Sequence, residues 1–313
     1  MYSISAITSI SHQQSFQNEG FTEGMLELND SHTLITPDFK QFIDASLLRR
    51  MSKVLRMSVA CAKHCMELAK LEQPDAIIVG TGLGCLVDTE KFLNNGISLA
   101  GLLPPTAFIQ STHNTIAGQI SLSIGNHGYN MTHTQNVVSF EHAMLDAMLL
   151  LGEGSGQVLV GAADETIPFL EEVAAELIPD CGSKLTSGST FLILKNLSDL
   201  PGIVLVAVEI YTNYQSKWEV IKTFLLGNGL DLTDIEVVAT AQNLESENLE
   251  LLQSGVESIS YLNFTGVYAT ASALGFHILV DKLIANPKPR YALLINDVAE
   301  AHLGLTLLKK REA

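Results

Sequence analysis

The sequence is poor in positive charge, tryptophan and cysteine, and it contains no long apolar run. Its 18 Lys and Arg stand against 34 Asp and Glu, which gives a net charge of −16. That balance argues against binding to nucleic acid or to an anionic membrane surface. No apolar run approaches the roughly 18 residues of a transmembrane helix, and residues 1–14 lack the pattern of a signal peptide. We therefore expect a cytoplasmic protein with neither a nucleic-acid nor a membrane partner.

The four cysteines form neither a disulfide framework nor a zinc-finger pattern. Cys61 and Cys65 flank His64 and share a helix face, but zinc requires three or four ligands and Cys61 falls on the apolar stripe. We expect core cysteines and no metal. Cys85 follows a glycine-rich turn, where a substitute nucleophile and a small buried residue are both possible and the second is favoured.

The remaining composition is that of a globular protein, with 47% hydrophobic and 17% charged residues. Short β-type runs alternate with helical patterns, which predicts an α/β fold. The chain opens with a predicted strand at 2–10, a surface loop at 18–42, an amphipathic helix at 45–71, a buried strand at 75–80 and a helix near 87–94 that ends at Asn95-Gly96. Further strands are predicted at 130–136, 157–163, 191–196, 202–211, 235–240, 257–263, 290–295 and 303–309, and helices at 138–151, 216–226, 244–253 and 268–285.

The order of elements repeats weakly along the chain, as in two similar halves. Leu200-Pro201-Gly202 is the natural junction. We predict an N-terminal half at 1–200 and a C-terminal half at 201–313.

Several short motifs occur in order along the chain, and each by itself is weak evidence of fold or function. The turn Gly80-Thr81-Gly82-Leu83-Gly84 is similar to a dinucleotide fingerprint, but Cys85 stands where a glycine is needed, so we expect no nucleotide and no other cofactor. The other motifs are Arg49-Arg50-Met51-Ser52, the run from Phe108 to Ser121, the turn Gly128-Tyr129-Asn130 and Gly161-Ala162-Ala163-Asp164-Glu165.

Together these motifs resemble the β-ketoacyl synthases, condensing enzymes of the thiolase fold. The resemblance implies a layered αβαβα architecture, in which two similar halves each carry a mixed five-stranded sheet. It also implies a catalytic cysteine and two histidines. Those positions fall on Val137, Thr240 and Val267. A side chain without a nucleophilic atom stops acyl transfer, and the lost histidines remove donors for the oxyanion, so no condensation is expected.

Other residues near the implied site are open to two interpretations. His113 and Asn114 are pocket candidates beside Val137 and Val267, although capping and turn hydrogen bonds at a helix start are the simpler explanation. Alternation along the strand places Met131, His133 and Gln135 on one face, and the resemblance makes that face a dimer interface. His142 is expected to be a packed helix residue.

Three functions remain open at this stage. The first is a non-catalytic homologue similar to the chain length factors, which pair with an active ketosynthase in fatty-acid-like or polyketide-like pathways, including those of aryl-polyene and flexirubin-type pigments. An acyl carrier protein would then act through the partner. The second is a thiolase-fold enzyme of altered chemistry that uses His113, His133 or Cys85 on an acyl thioester. The third is a homodimeric scaffold without a pocket.

Overall fold

The computed structural model describes residues 1–99, 101–177, 184–196, 201–241, 256–286, 291–299 and 301–311. Its strands are β1 (Tyr2–Ile10), β2 (Ala76–Gly80), β3 (Tyr129–His133), β4 (Gln157–Asp164), β5 (Gly188–Asn196), β6 (Gly202–Thr212), β7 (Ile235–Thr240), β8 (Glu257–Ser260), β9 (Tyr291–Asn296) and β10 (His302–Arg311). The helices are α1 (Ala45–Leu48), α2 (Lys53–Ala69), α3 (Leu86–Ser98), α4 (Pro105–Gln110), α5 (Thr115–Ile124), α6 (Ser139–Gly152), α7 (Pro168–Leu177), α8 (Lys217–Gly227), α9 (Leu262–Thr265) and α10 (Ser272–Ala285).

The strands run in the order β3-β2-β4-β5-β1-β6-β10-β9-β7-β8. Each set of five repeats one pattern: two parallel pairs at the outer end, then two antiparallel pairs toward the centre. The sets meet through a short antiparallel pairing of β1 with β6, at Tyr2 with Leu205 and Ser3 with Val204. The predicted five-stranded sheets are thus joined into one ten-stranded sheet, because β1 and β6 each still offer a free edge.

Alternating side chains along the strands produce the predicted layers. Ile78 of β2 faces a central cluster with α6 and α10, whereas its neighbour Ile77 faces a second cluster with α2 and α5. On the other half, Leu293 of β9 packs under α8 in a third cluster. Phe140 and Phe276 bring the two central helices together, with ring centroids 5.6 Å apart. Strands that are covered on both faces account for the continuous apolar runs of the sequence.

Several predicted boundaries differ from the structure. The helix predicted at 45–71 is two helices, α1 and α2, because Ser52 is extended and the amide of Val54 donates to Glu165. The strand predicted at 257–263 ends at Ser260 and turns into α9, and α3 continues past Asn95-Gly96 to Ser98. The helix predicted at 244–253, like the junction residue Leu200, lies outside the described residues. The division into halves at residue 200 stays a prediction.

The loop predicted at 18–42 contains two short 3-10 turns, Phe21–Gly24 and Phe39–Gln41, and it is not wholly on the surface. Phe21 and Thr22 are buried. The carboxylate of Asp281 on α10 accepts hydrogen bonds from the amides of Gly20 and Thr22 and from the Thr22 hydroxyl. Among the described helices, none has the length and apolarity needed to cross a membrane.

Close packing of α6 on β2 makes the glycine at position 80 essential. A Cβ atom there would lie 2.5 Å from the Ser139 oxygen and 2.9 Å from the Phe140 nitrogen, both of them backbone atoms. We expect Gly80→Ala to lower the free energy of unfolding by about 2 kcal/mol, as measured by urea denaturation. Gly24→Ala, where a Cβ meets nothing within 4 Å, is the control. Equal stability of the two variants would contradict this packing argument.

Candidate functional site

The candidate site begins at the turn that joins β3 to α6. The strand predicted to run to 136 ends at His133, and Asn136 adopts a left-handed conformation with φ of +51°. The Ser139 hydroxyl stabilises this turn, since it donates to the Asn136 carbonyl at 2.7 Å and accepts from the Gln135 amide at 2.9 Å. Asparagine tolerates this backbone conformation better than most residues. Val137 follows directly and is half-buried.

A cavity of about 200 Å³ lies at this turn. Val137 and Val267 both line it, so the structure brings together two of the three positions singled out from the sequence. The other lining residues are six apolar or aromatic side chains and five polar or charged ones: Leu83, Leu170, Leu185, Tyr268, Ala269 and Val298, with Asn136, Asp164, Glu165, Thr166 and Thr186. The volume is below the 300–1,000 Å³ that is usual for small-molecule pockets.

Asp164 organises the polar side of the cavity. Its Oδ1 accepts from the Thr81 hydroxyl at 2.8 Å and from the Gly82 and Leu83 amides at 3.0 Å. Its Oδ2 accepts from the Thr270 amide at 3.1 Å and the Thr270 hydroxyl at 2.8 Å. Burial raises the pKa of Asp164, and these donors oppose the rise. The carboxylate therefore ties the Gly80–Gly84 turn to the loop that precedes α10.

Glu165 also lines the cavity, and its carboxylate accepts hydrogen bonds from two helices. One oxygen accepts from the Val54 amide at 3.0 Å and the other from the Val87 amide at 3.1 Å. These amides belong to the first turns of α2 and α3, where free N–H groups and the helix dipole favour a negative charge. Glu165 is thus a shared helix cap and fixes the cavity wall.

A third buried carboxyl lies behind the turn. Asn296 donates from Nδ2 to the Val137 carbonyl at 2.7 Å and to Glu141 Oε1 at 2.8 Å. Burial raises the pKa of Glu141 to about 7, and the hydrogen bond from Asn296 opposes the rise. The other oxygen, Oε2, has no hydrogen-bond partner among the described residues. Sequence reasoning missed this pair, although a glutamate between Phe140 and Ala143 on an apolar helix was a usable signal.

Thr240, the third position singled out, lies elsewhere. It is 1% exposed at the end of β7 and does not line the cavity. Its carbonyl accepts from the Tyr261 amide at 2.9 Å. Val267 is held by its backbone, which pairs with Lys184 and Thr186 on the opposite segment.

His113 and Asn114 are also separate from the cavity, contrary to their grouping with Val137 and Val267. Both side chains are exposed, and they lie in the segment just before α5. The His113 ring packs against Gly84. Asn114 precedes α5 without a side-chain hydrogen bond to it, so the capping interpretation does not hold either.

The β3 face contains a histidine–carboxylate pair. His133 Nε2 lies 2.8 Å from Asp146 Oδ2, and the Tyr129 hydroxyl donates to the same oxygen at 3.3 Å. His142 stacks on His133 with centroids 6.3 Å apart. Met131 is 40% exposed. Gln135 lies in the turn beyond the end of the strand. Of the face predicted from Met131, His133 and Gln135, only Met131 and His133 therefore lie on the strand.

The described cysteines are free and buried. Burial raises the pKa of Cys61 to about 12, and burial together with the nearby Asp88, Glu165 and Asp164 raises that of Cys85 still further. A thiol with so high a pKa is a poor nucleophile at neutral pH. Cys181 lies outside the described residues. Within the part of the chain that is described, no His, Cys, Asp and Glu cluster could hold a metal ion.

The β-ketoacyl synthase N-terminal domain family matches residues 28–178. No curated protein matches the chain. Solved structures do match. The ishigamide ketosynthase/chain length factor is 13% identical, with a TM-score of 0.78 and 100% of each chain covered. An acyl-carrier protein of a type II PKS in complex with its ketosynthase bound to the hexaketide gives 14% identity, 99% of each chain and a TM-score of 0.75.

A third structure is a ketosynthase in complex with its chain length factor from Xenorhabdus doucetiae. It is 18% identical, with a TM-score of 0.54 over 73% of this chain and 90% of that one. At these identities the likeness establishes the fold, and it confirms the thiolase-like α/β architecture predicted from the sequence. Val137 and Val267 thus line a cavity within that architecture.

Proposed function

We propose that this chain, a β-ketoacyl synthase-like protein of the thiolase fold, is a non-catalytic subunit similar to a chain length factor, which pairs with an active ketosynthase. The observation that carries the proposal is the cavity at the β3–α6 turn. There Val137 and Val267, which stand where the resemblance implies the catalytic cysteine and one of the histidines, supply only methyl groups. Methyl groups neither attack a thioester nor stabilise an oxyanion.

The surface around β3 supports pairing with a second chain. β3 is the outer strand of the sheet, hydrogen-bonded to β2 alone among the described strands, and Tyr129 and Met131 are each 40% exposed along it. An open edge with apolar side chains is a template for strand addition from another protein.

Helices on the same half add apolar surface. Large side chains of α3, α4, α5 and the connections between them are strongly exposed: Leu93, Ile97, Leu102, Phe108, Ile109 and Leu122. Phe92 and Phe108 pack together with ring centroids 5.4 Å apart, so side chains of this surface contact one another. Exposed apolar area of this kind is typical of protein interfaces. We infer that the active ketosynthase covers it, in the cytoplasm, in a fatty-acid-like or polyketide-like pathway, and that an acyl carrier protein reaches the pair through that partner.

The proposal is tested by co-expression with a ketosynthase that is encoded beside this chain and retains its cysteine. We expect a stable complex by size-exclusion chromatography with light scattering, and a product whose chain length depends on this subunit. The absence of both a complex and a change in product would refute the pairing. Turnover of an acyl thioester by this chain alone, lost in His133→Ala or Cys85→Ala, would favour an enzyme of altered chemistry instead.

The proposed interface gives a sharper prediction. We expect Met131→Arg to weaken association with the ketosynthase at least about 100-fold, because the variant buries an unpaired charge beside the edge strand. Leu226→Arg is the matched control, since Leu226 is 69% exposed on α8. Both variants should retain the wild-type melting temperature. Equal affinity of the Met131→Arg and Leu226→Arg proteins would place the partner elsewhere.

A further inference from the structure

A second, larger cavity lies away from the turn at Val137. It is a groove of about 920 Å³ between β1, the helices α2 and α10, and the start of β6. The pairing of β1 with β6 covers only Tyr2 and Ser3, and β1 lines the groove from Ile4 onward. The two cavities share none of their lining residues.

Aliphatic side chains form much of this groove. Ile4 and Ile7 come from β1, Leu68 from α2, and Val280 and Ile284 from α10. Leu68 and Ile284 are 47% and 59% exposed. Apolar area that is left open to water in a concave site of this volume favours binding of a hydrocarbon body.

The charged residues of the groove do not favour a charged ligand. The Asp281 carboxylate accepts from backbone amides, and the Lys310 ammonium donates to two backbone carbonyls. Arg311 is likewise engaged within the chain. Glu19 is exposed, and an ion pair with a solvated carboxylate is worth at most about 1 kcal/mol. The groove thus carries two charges of each sign and offers none of them buried and free.

His277 supplies an uncommitted polar atom. The residue is 7% exposed and lines the groove from α10. Its Nδ1 lies 2.8 Å from the Ser9 hydroxyl oxygen, which also bonds to the Thr190 hydroxyl. Its Nε2 has no hydrogen-bond partner among the described residues. Because Nδ1 is committed to the protein, Nε2 is the polar atom that this ring can offer to a ligand.

The ring of His277 is neutral and is held in place before any ligand binds. Burial lowers the pKa of His277 to about 4, so the ring carries no charge at neutral pH. It packs against Phe21 with ring centroids 4.8 Å apart. A polar group that is already fixed reduces the entropic cost of binding. The other histidine of the lining, His64 on α2, has its Nδ1 3.5 Å from the Glu67 carboxylate.

A hydroxyl group matches Nε2 in either tautomer of the ring. If the Ser9 hydroxyl donates to Nδ1, then Nε2 carries the hydrogen and donates; if Nδ1 carries it, Nε2 accepts. An alcohol can both donate and accept. A carboxylate only accepts, and it would bring a charge without a free partner into the groove.

We propose that this groove binds a long-chain alcohol, with the hydroxyl at His277 Nε2 and the hydrocarbon chain along the aliphatic side chains of β1, α2 and α10. The buried polar atom without a partner selects the head group, and the open aliphatic walls select the chain. The site is independent of the proposed pairing with a ketosynthase and of the cavity at Val137.

The test is isothermal titration calorimetry of the full chain with octan-1-ol. We expect saturable binding at one site, and at least about tenfold weaker binding of octanoate, which adds a charge. Ile284→Glu should weaken octanol binding at least about tenfold, because it places a charge on the aliphatic wall. Leu226→Glu is the matched control, exposed on α8 and outside the groove, and it should bind octanol as the wild type does.

A second variant tests the head group. His277→Phe keeps an aromatic ring against Phe21 and removes the nitrogen, so octanol should bind about fivefold more weakly or worse through the loss of one hydrogen bond. The Ser9 hydroxyl retains Thr190 as its partner in this variant. A melting curve for each variant shows whether it is folded, and the exposed position of Ile284 makes that variant the safer of the two.

Four outcomes would overturn the proposal or a part of it. The absence of saturable octanol binding by the folded wild type would leave the groove filled only by water. Octanol binding that survives Ile284→Glu and is lost in Val267→Phe would place the ligand in the cavity at Val137. Unchanged affinity in a folded His277→Phe protein would remove the hydroxyl from Nε2. Octylammonium binding that is tighter than octanol binding and is lost in Glu19→Gln would replace the neutral head group by a cation.

Discussion

Asp164→Asn lowers the free energy of unfolding by about 3 kcal/mol or more, the largest loss we expect from any single isosteric change in this protein. Both oxygens of the buried carboxylate accept from backbone amides, those of Gly82 and Leu83 on one side and that of Thr270 on the other. The amide group of asparagine can replace only one oxygen as an acceptor. Its NH2 group then faces a backbone N–H, and both donors are left buried without a partner.

Urea denaturation measures this effect as a shift of the midpoint at constant slope. Asp75→Asn is the matched control. Asp75 is exposed, and a single oxygen, Oδ2, accepts from the amides of Gly156 and Gln157 at 2.7 and 2.8 Å. Asparagine can retain that acceptor, so we expect a loss below about 1 kcal/mol. Equal losses at positions 75 and 164 would show that the network at the cavity carries no special stability.

Glu141→Gln stabilises the protein at pH 8 by roughly 3 kcal/mol and leaves it unchanged near pH 4. Burial raises the pKa of Glu141 from 4.5 to about 7 in the folded state. Between those values the folded protein binds the proton more tightly than the unfolded chain does. The contribution of this group to stability is therefore full below pH 4.5, falls as the pH rises toward 7, and stays low above it. Glutamine resembles the protonated acid and carries no such penalty.

The measurement is the difference in unfolding free energy between the variant and the wild type, taken at several pH values from 4 to 8. The difference isolates Glu141 from the other buried carboxyls. Glu153→Gln, an exposed position at the end of the same helix, is the matched control. A flat curve for Glu141→Gln would mean that the buried carboxyl stays neutral across this range or is solvated.

Most of the fold could be predicted from the sequence because its signals are local. The strand at 2–10 and the strand at 235–240 have the predicted bounds, and the buried run at 75–80 is a strand one residue shorter. The errors have distant causes. The helix predicted at 45–71 breaks because Glu165, over a hundred residues away in the chain, caps a second start at Lys53. Nothing in the pattern of residues 45–71 carries that information.

The candidate site was predictable only in part. The resemblance identified Val137 and Val267, and the structure places both on one cavity. It also grouped His113 and Asn114 with them, whereas these side chains lie on the outer surface. The contact of Glu141 with Asn296 was not foreseen, since it joins two residues 155 positions apart in the chain.

The sequence by itself determined the α/β alternation, the order of the elements, and the absence of a nucleophile at position 137, because each depends on the identity or spacing of neighbouring residues. Only the tertiary structure decided that β1 and β6 join two sheets into one. It also decided that Asp164 and Glu165 meet Val137 and Val267 at one cavity. These features depend on how distant segments pack, and packing is set by the whole core rather than by any one stretch of the chain.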